Sequence, residues 1–581
     1  MANFFLDNED IQFLFKHIDL KELARLQEQE TENGDADYVP VDEDDAVDNY
    51  WRVLEIVGQI AAETLAPHAE QIDREGNKLN DDGTVTLHPL VRENLRAMSQ
   101  ADMMGFTLPR RFGGLNCPNL IYTMAIEIVS RADASFMNLF GLQGIADTIN
   151  AFADEEIKQD VLPRFASGEV TGAMVLTEPD AGSDLQAVRL KAYQDEQGNW
   201  YLKGVKRFIT NGCGEILLTL ARSEPDISDG RGLSLFISER SPKIRVRHLE
   251  DKLGIHGSPT CELVYDDAPA KLIGERQRGL VTYVWALMNG ARVGIAAQSL
   301  GIGEAAYRLA RTYAHTRQQF GGPIERLPAV AEMVTDMKVA VEAARALTYE
   351  ASRSCDIENN SNRILAVAKQ TLDAAEKKQL RANSKLYKRL NSMLTPMSKY
   401  YASEMCVRVA STAIQVLGGS GYMRDYPAER YFRDARITTI YEGTSQLQIV
   451  AAVRRITSGS LDAFVAPREE IEYEDAQLKQ FKQDLIDAKR RLDEAIEFVK
   501  TKSAAYLDLC GQRLVDSAAT IIIGHLLLDQ ARVNERKRAV LHRFLTYEIP
   551  KLDMNCRLVL SGDTSTLDQY ELLAGPVPKA E

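Results

Sequence analysis

A glutamate sits between an aromatic residue and a glycine in Tyr441-Glu442-Gly443-Thr444-Ser445-Gln446-Leu447-Gln448. That arrangement suits removal of an acidic C–H proton, for which a carboxylate must reach the carbon acid in a tight, dry site. The glycine lets a substrate pass close to the backbone. Gln415-Val416-Leu417-Gly418-Gly419-Ser420-Gly421-Tyr422 precedes this segment at a short distance.

Four further segments could carry chemistry. Leu176-Thr177-Glu178-Pro179-Asp180-Ala181-Gly182-Ser183-Asp184 offers backbone N–H groups and hydroxyls in a small-residue loop, which can hold ligand carbonyls and phosphates. The same residues would also make an ordinary Pro/Asp/Gly turn. Phe208-Ile209-Thr210-Asn211-Gly212 puts a hydroxyl beside a flat aromatic wall, and is equally a plain strand ending in Asn-Gly. In Lys252-Leu253-Gly254-Ile255-His256-Gly257-Ser258-Pro259-Thr260-Cys261-Glu262, no partner is placed locally for His256, so a structural histidine is expected. Arg317-Gln318-Gln319-Phe320-Gly321 follows a long helical pattern and, by itself, reads as a helix end with a basic last turn.

The elements that must position these segments change character along the chain. Residues 1 to about 27 show a helical pattern (Ile11, Phe13, Leu14, Phe15, Ile18, Leu20, Leu23), and the acidic stretch 28–48 reads as a loop or mobile linker. Helical spacing runs from 51 to about 170, broken at Pro109-Arg110-Arg111-Phe112-Gly113-Gly114. Short alternating segments at 171–176, 188–194, 200–203, 216–221, 233–238 and 262–265 predict a small β-domain, with a hairpin turn at Gln197-Gly198-Asn199. Helical periodicity then returns. Within the last region Phe481, Leu485, Leu492, Ile496 and Val499 fall on one face. The expected division is an N-terminal helical segment with acidic linker (1–50), a helical domain (51–170), a β-domain (171–280), a helical bundle (281–456) and an extra helical domain (457–581). This order argues against a Rossmann or TIM layout.

The chain of 581 residues is too long for one ordinary core. Its net charge of −15 disfavours nucleic-acid backbones and anionic membranes. The seven cysteines (117, 213, 261, 355, 406, 510, 556) are scattered, with no C-x-x-C pair, which suits structural thiols in a reducing compartment and no metal. The start, Met1-Ala2-Asn3-Phe4-Phe5-Leu6-Asp7, has no basic region of a secretory signal, so a cytoplasmic setting is expected. The longest apolar run, Ile521 to Leu528, is too short to span a bilayer and predicts a buried helix.

The Tyr441 and Gln415 segments, with the Leu176, Phe208, Lys252 and Arg317 segments in this order, resemble those of the acyl-CoA dehydrogenases over about 50 to 456. The resemblance implies a mainly α fold: an N-terminal helical domain, a β-barrel-like middle domain and a C-terminal four-helix bundle, with FAD held non-covalently where they meet. It implies that Glu442 is the catalytic base, with its N–H bonding the thioester carbonyl. Leu176, Thr177, Phe208, Ile209 and Thr210 match flavin-ring segments. Arg317, Gln319, Phe320, Gln415, Gly418 and Gly419 match segments that hold a neighbouring subunit's FAD, while Thr444 and Gln446 match further FAD contacts. Ser183, Asn289, Arg292, Tyr441 and Gly443 match substrate-side positions.

Several positions depart from the family pattern. Phe208 stands where tryptophan is usual, Asn289 where many members have aspartate, and Leu327-Pro328 where His-Gln is common. Some members place the base just before the arginine equivalent to Arg292; here that residue is Ala291, which leaves Glu442. The longer 350–400 insert and the appendix resemble the larger bacterial and very-long-chain-type branches. The implied activity is α,β-dehydrogenation of an acyl-CoA with electrons passed to electron-transfer flavoprotein, in a homodimer rather than a tetramer. An acyl-CoA oxidase using oxygen and a flavoprotein relative without catalysis are the alternatives.

Overall fold

The computed structural model describes residues 2–29, 31, 33, 34, 36–368 and 370–578. The chain opens with α1 (Glu9–His17), capped by Asn8, and α2 (Leu20–Glu28), capped by Asp19. Both bury the apolar stripe seen in the sequence, with Ile11, Leu14, Phe15, Leu20 and Leu23 in the interior. The acidic stretch is not all loop: α3 (Glu43–Ile60) begins inside it. Asp42 accepts from the Asp45 N–H, and three acidic residues occupy the first turn, where they favour a helix start. Residues 30, 32 and 35 of that stretch lie outside the described residues.

The N-terminal domain continues through α4 (Ala66–Glu75), the two-residue strands β1 (Lys78–Leu79) and β2 (Val85–Thr86), α5 (Pro89–Gln100), α6 (Asn119–Ala132), α7 (Ala134–Gly141), α8 (Ile145–Phe152) and α9 (Glu155–Ala166). The Pro109–Gly114 break holds only a single 3-10 turn, Arg110–Phe112.

The middle domain is a sheet of seven strands: β3 (Gly172–Val175), β4 (Lys191–Gln194), β5 (Trp200–Thr210), β6 (Ile216–Arg222), β7 (Leu233–Glu239), β8 (Ile244–Leu249) and β9 (Thr260–Ile273). β6, β7, β9, β5 and β4 pair in a ring, closed by the single pair Lys191 with Arg222. The sheet is thus barrel-like, which removes most free edges. The Gly198 turn has the positive φ of 87° that a tight β4–β5 hairpin needs. β5 and β9 run longer than their apolar alternation indicates. β8 was not anticipated, because Arg245, Arg247 and His248 interrupt its hydrophobicity.

A six-residue π-helical turn, Gly279–Val284, leads into α10 (Trp285–Thr316). After the small hairpin β10 (Gln318–Gln319) and β11 (Gly322–Pro323) come two helices of 40 and 44 residues, α11 (Pro328–Val367) and α12 (Ala374–Leu417). Residues 350–400 lie largely in this pair. Next are α13 (Gly419–Tyr422), α14 (Ala428–Ile437) and α15 (Ser445–Thr457). α10, α11 and α12 pack on one another and α15 lies against α12.

The appendix comprises α16 (Ser460–Glu469), α17 (Ala476–Lys500), α18 (Ala504–Ala531), α19 (Glu535–Leu560), α20 (Ser565–Asp568) and α21 (Tyr570–Ala574). The stripe Phe481, Leu485, Leu492, Ile496, Val499 is buried as its period demands. The 521–528 run lies in α18, whose 28 residues would be long and apolar enough to cross a bilayer, yet it is a core helix. One apolar core joins it to Leu347, Leu394, Met397, Ile449 and Val453 of the bundle. The appendix is therefore continuous with the bundle.

Candidate active site

Glu442 is placed by a loop between α14 and α15 that is bolted from three sides. Its φ is +55° and that of Gly443 is +88°, a left-handed pair that only a well-held segment keeps when one member is not glycine. The Gln448 amide donates to the carbonyls of Glu442 (3.1 Å) and Gly443 (3.0 Å). The Lys399 ammonium, from α12, donates to the Gly443 carbonyl at 2.8 Å. Ser445 Oγ donates to Glu404 at 2.6 Å, and Ser403 Oγ to the Thr438 carbonyl at 2.9 Å. The positive φ favours glycine at 443, and a Cβ there would press on the Gln448 amide at 2.6 Å and disturb its two hydrogen bonds.

The half-buried Glu442 carboxyl is pushed up to about 7 by loss of solvent, against the opposing pull of Lys399 and Arg292. Tyr441, whose phenol burial also pushes up, donates to Gln298 and lies 3.3 Å from Asn138 Oδ1. Arg292 on α10 donates to Asn289 at 3.3 Å and stacks over Trp285 at 5.5 Å, while its Nε has no partner among the described residues.

The opposite wall comes from the barrel. Leu176 and Thr177 follow β3, and the fully buried Lys206 donates to the Leu176 carbonyl at 2.7 Å while pairing with Glu178 at 3.0 Å. Glu178 in turn accepts from the N–H groups of Arg189 and Leu190, so it serves the loop's structure. A register shift in β5 between Lys206 and Ile209 turns Phe208 outward with φ +60°, leaving it 53% exposed. Ile209 is buried, and Thr210 pairs with Thr260.

These walls enclose a cavity of about 1680 Å³. Leu176, Thr177, Ser183, Phe208, Ile209, Thr210, Asn289, Arg292, Tyr441, Glu442, Gly443 and Thr444 all line it. Arg317, Gln319, Phe320, Gln415, Gly418, Gly419 and Gln446 do not. Arg317 ends α10. Phe320 and Gly321, both at positive φ, form the tip of the β10–β11 hairpin, where Phe320 is 90% exposed. Added Cβ atoms on Gly321, Gly418 or Gly419 would meet nothing within 4 Å. Gln446 points outward from the first turn of α15.

His256 lies at the rim as a structural group. Nδ1 faces the Asp73 carboxylate at 3.1 Å and the Asp73 carbonyl at 2.9 Å, and Nε2 faces the Lys252 carbonyl at 2.8 Å. Three features were missed from sequence. Lys399 is one, although it falls on the core-facing row Thr395, Lys399, Ala402, Cys406, Val409, Ala413 of a helix, where a charge is unexpected. Trp285 and the cations Lys388, Arg454 and Arg455, which line the cavity, gave no local signal. Among the described residues no group of His, Cys, Asp and Glu could hold a metal ion, and the seven cysteines are free.

A helical domain, a barrel and a helical bundle thus meet around one cavity that Glu442 and Phe208 both line, and comparison with known proteins gives its kind. Residues 52–169, 173–268 and 277–457 match the N-terminal, middle and C-terminal domains of acyl-CoA dehydrogenase, and 457–553 match "Acyl-CoA dehydrogenase C terminal". The chain is 36% identical over 374 residues to an acyl-CoA dehydrogenase of Bacillus subtilis, covering 63% of this chain and 90% of the relative. The chain belongs to the acyl-CoA dehydrogenase family, in the form that carries the extra C-terminal domain. Butyryl-CoA dehydrogenase from Megasphaera elsdenii is similar at 29% identity and TM-score 0.59, over 70% of this chain and 98% of that one. An acyl-CoA dehydrogenase from Bacillus anthracis, solved with FAD, shares the fold over 91% of this chain and 92% of that one, with TM-score 0.74 and 22% identity.

Proposed function

We propose that the protein dehydrogenates an acyl-CoA thioester to the trans-2-enoyl-CoA, with Glu442 as the base and FAD as cofactor. The observation that carries this reading is Glu442 itself: a carboxyl raised to about 7, between Lys399 and Arg292, in a cavity with Thr177, Phe208 and Thr210. A base poised near neutral pH is the best compromise between being ionised and being basic.

The residues present fit FAD. The cavity exceeds the ~300–1,000 Å³ of ordinary ligand pockets, as two extended ligands would require. The Phe208 ring, half-exposed with the Arg207 guanidinium over it at 4.7 Å, is placed to flank a flat ring system, with the Thr177 and Thr210 hydroxyls to hold its polar edge. When bound, the flavin supplies the acceptor for the hydride leaving the β-carbon. Glu442 takes the α-proton, and its N–H supports the thioester oxygen as negative charge gathers there. Leu142, Met174, Leu280, Val284 and Met288 offer apolar walls for the acyl chain, while Lys388, Arg454 and Arg455 offer cations for phosphate groups.

A homodimer completes this reading. Gln415, Gly418 and Gly419 lie near exposed Tyr422 (77%) and Met423 (50%), and Phe320 is barer still, an apolar set that a second copy would cover. Electron-transfer flavoprotein is the acceptor we propose, in the cytoplasm. Anaerobic titration of purified protein with acyl-CoAs of graded length tests the function. The expected result is a yellow protein with one FAD per chain, bleached by some of them. Protein that cannot be reconstituted with FAD would refute the reading, and rapid reoxidation by oxygen would favour an oxidase.

A further inference from the structure

Lys399 is a wholly buried ammonium with an unusual set of surroundings. Its side chain comes off the middle of α12, among Met397, Ala402 and Cys406, and has no exposed surface. The Gly443 carbonyl, 44 residues away in sequence, is its hydrogen-bond partner at 2.8 Å. No carboxylate lies within ion-pair distance of it among the described residues, whereas Lys206, wholly buried behind the Leu176 segment, has Glu178 at 3.0 Å. Removing an ammonium from water against one neutral carbonyl is costly, and such a group is rarely kept for packing. The charges facing this region are Glu442 on the loop, Arg292 on α10 and Glu404 on α12, and Glu404 is already engaged by Ser445. Glu442 is thus the anion this cation complements.

We infer that Lys399 is a positioning residue for Glu442. Its ammonium pins the Gly443 carbonyl, holding the left-handed Glu442-Gly443 pair so that carboxylate and N–H address one substrate. Its charge favours the ionised carboxylate against the burial that disfavours it. The two effects are separable, because a hydrogen-bond donor without charge can keep the first and lose the second. Burial pulls the ammonium itself down to about 7 while Glu442 pushes it up, so the two groups titrate under one another's influence. This inference rests on Glu442 being the base.

Glu442→Gln, Lys399→Gln and Lys399→Met separate the two claims, with anaerobic stopped-flow flavin reduction by saturating acyl-CoA followed from pH 5.5 to 9. Glu442→Gln must first abolish reduction; if it does not, the base is wrong and the inference falls with it. Lys399→Gln keeps a donor for the Gly443 carbonyl. It should keep flavin content and KM and move the acid limb of the rate profile up by about one pH unit, since a lost neighbouring cation raises a carboxyl. Lys399→Met, lacking both effects, should show the same shift and a reduction rate down by about 100-fold. Unchanged acid limbs in both variants would overturn the inference, including the case where rates fall through loop damage alone. If the methionine variant fails to fold, the limb of Lys399→Gln decides.

Discussion

The Lys537 ammonium of α19 lies 2.8 Å from Glu342 Oε2 of α11 and also pairs with Asp10 of α1, all three buried. One cation of the appendix thereby joins the first helix to the bundle. Arg345 extends the cluster to Glu127 and Glu304 of the N-terminal domain and α10. Lys537→Met would leave Asp10 with Arg345, and Glu342 with Arg536 and Lys338. The expected loss is about 1.5–3 kcal/mol, read as a lower thermal midpoint or faster urea unfolding. A chain cut near 457 should not fold, because Leu347, Met397, Ile449 and Val453 would lose their cover.

Glu442→Gln is nearly isosteric and cannot take a proton. It should retain FAD and bind acyl-CoA with similar affinity, while the rate of flavin reduction falls about 10²–10⁴-fold. In the wild-type chain that rate should rise with pH through about 7 as the carboxyl ionises. Stopped-flow measurement checks both points, and a variant with nearly full rate would mean another base.

His256 stabilises the fold while it is protonated. Its hydrogen bond to Asp73 is the largest influence and raises it from 6.5 to about 9. The contribution is fully present below pH 6.5 and lost as pH rises through 9. With the side chain 28% exposed, solvent screening limits it to on the order of 1 kcal/mol. His256→Gln should therefore be less stable than wild type at pH 6 and nearly equal to it at pH 9.5, with the acidity of flavin reduction unmoved.

The dimer reading places Phe320 against a second copy. Phe320→Asp, remote from its own chain's cavity, should lower FAD occupancy and shift light scattering from dimer towards monomer. Full-length wild type eluting as a tetramer would show that the appendix does not block further assembly.

Fold class was legible because it depends on local rules. Period 3.6 marks the stripe of α17, apolar runs mark α18, β6 and β7, and Gly198 marks a hairpin. Where charge broke the period, as at Arg245 and Arg247 in β8, the strand passed unseen. Capping chemistry at Asp42 began α3 inside a stretch whose composition reads as linker.

Of the site, the sequence by itself determined the segments around Glu442, Thr177 and Phe208, whose turn residues declare themselves within a few positions. Only the tertiary structure decided what surrounds them. Lys399, Arg292 and Glu442 lie on α12, α10 and a loop, and only packing brings their charges together. It likewise left Phe320, Gln415 and Gly418 on the outside. Contacts across long sequence separations are set by how faces bury together, which no local pattern encodes.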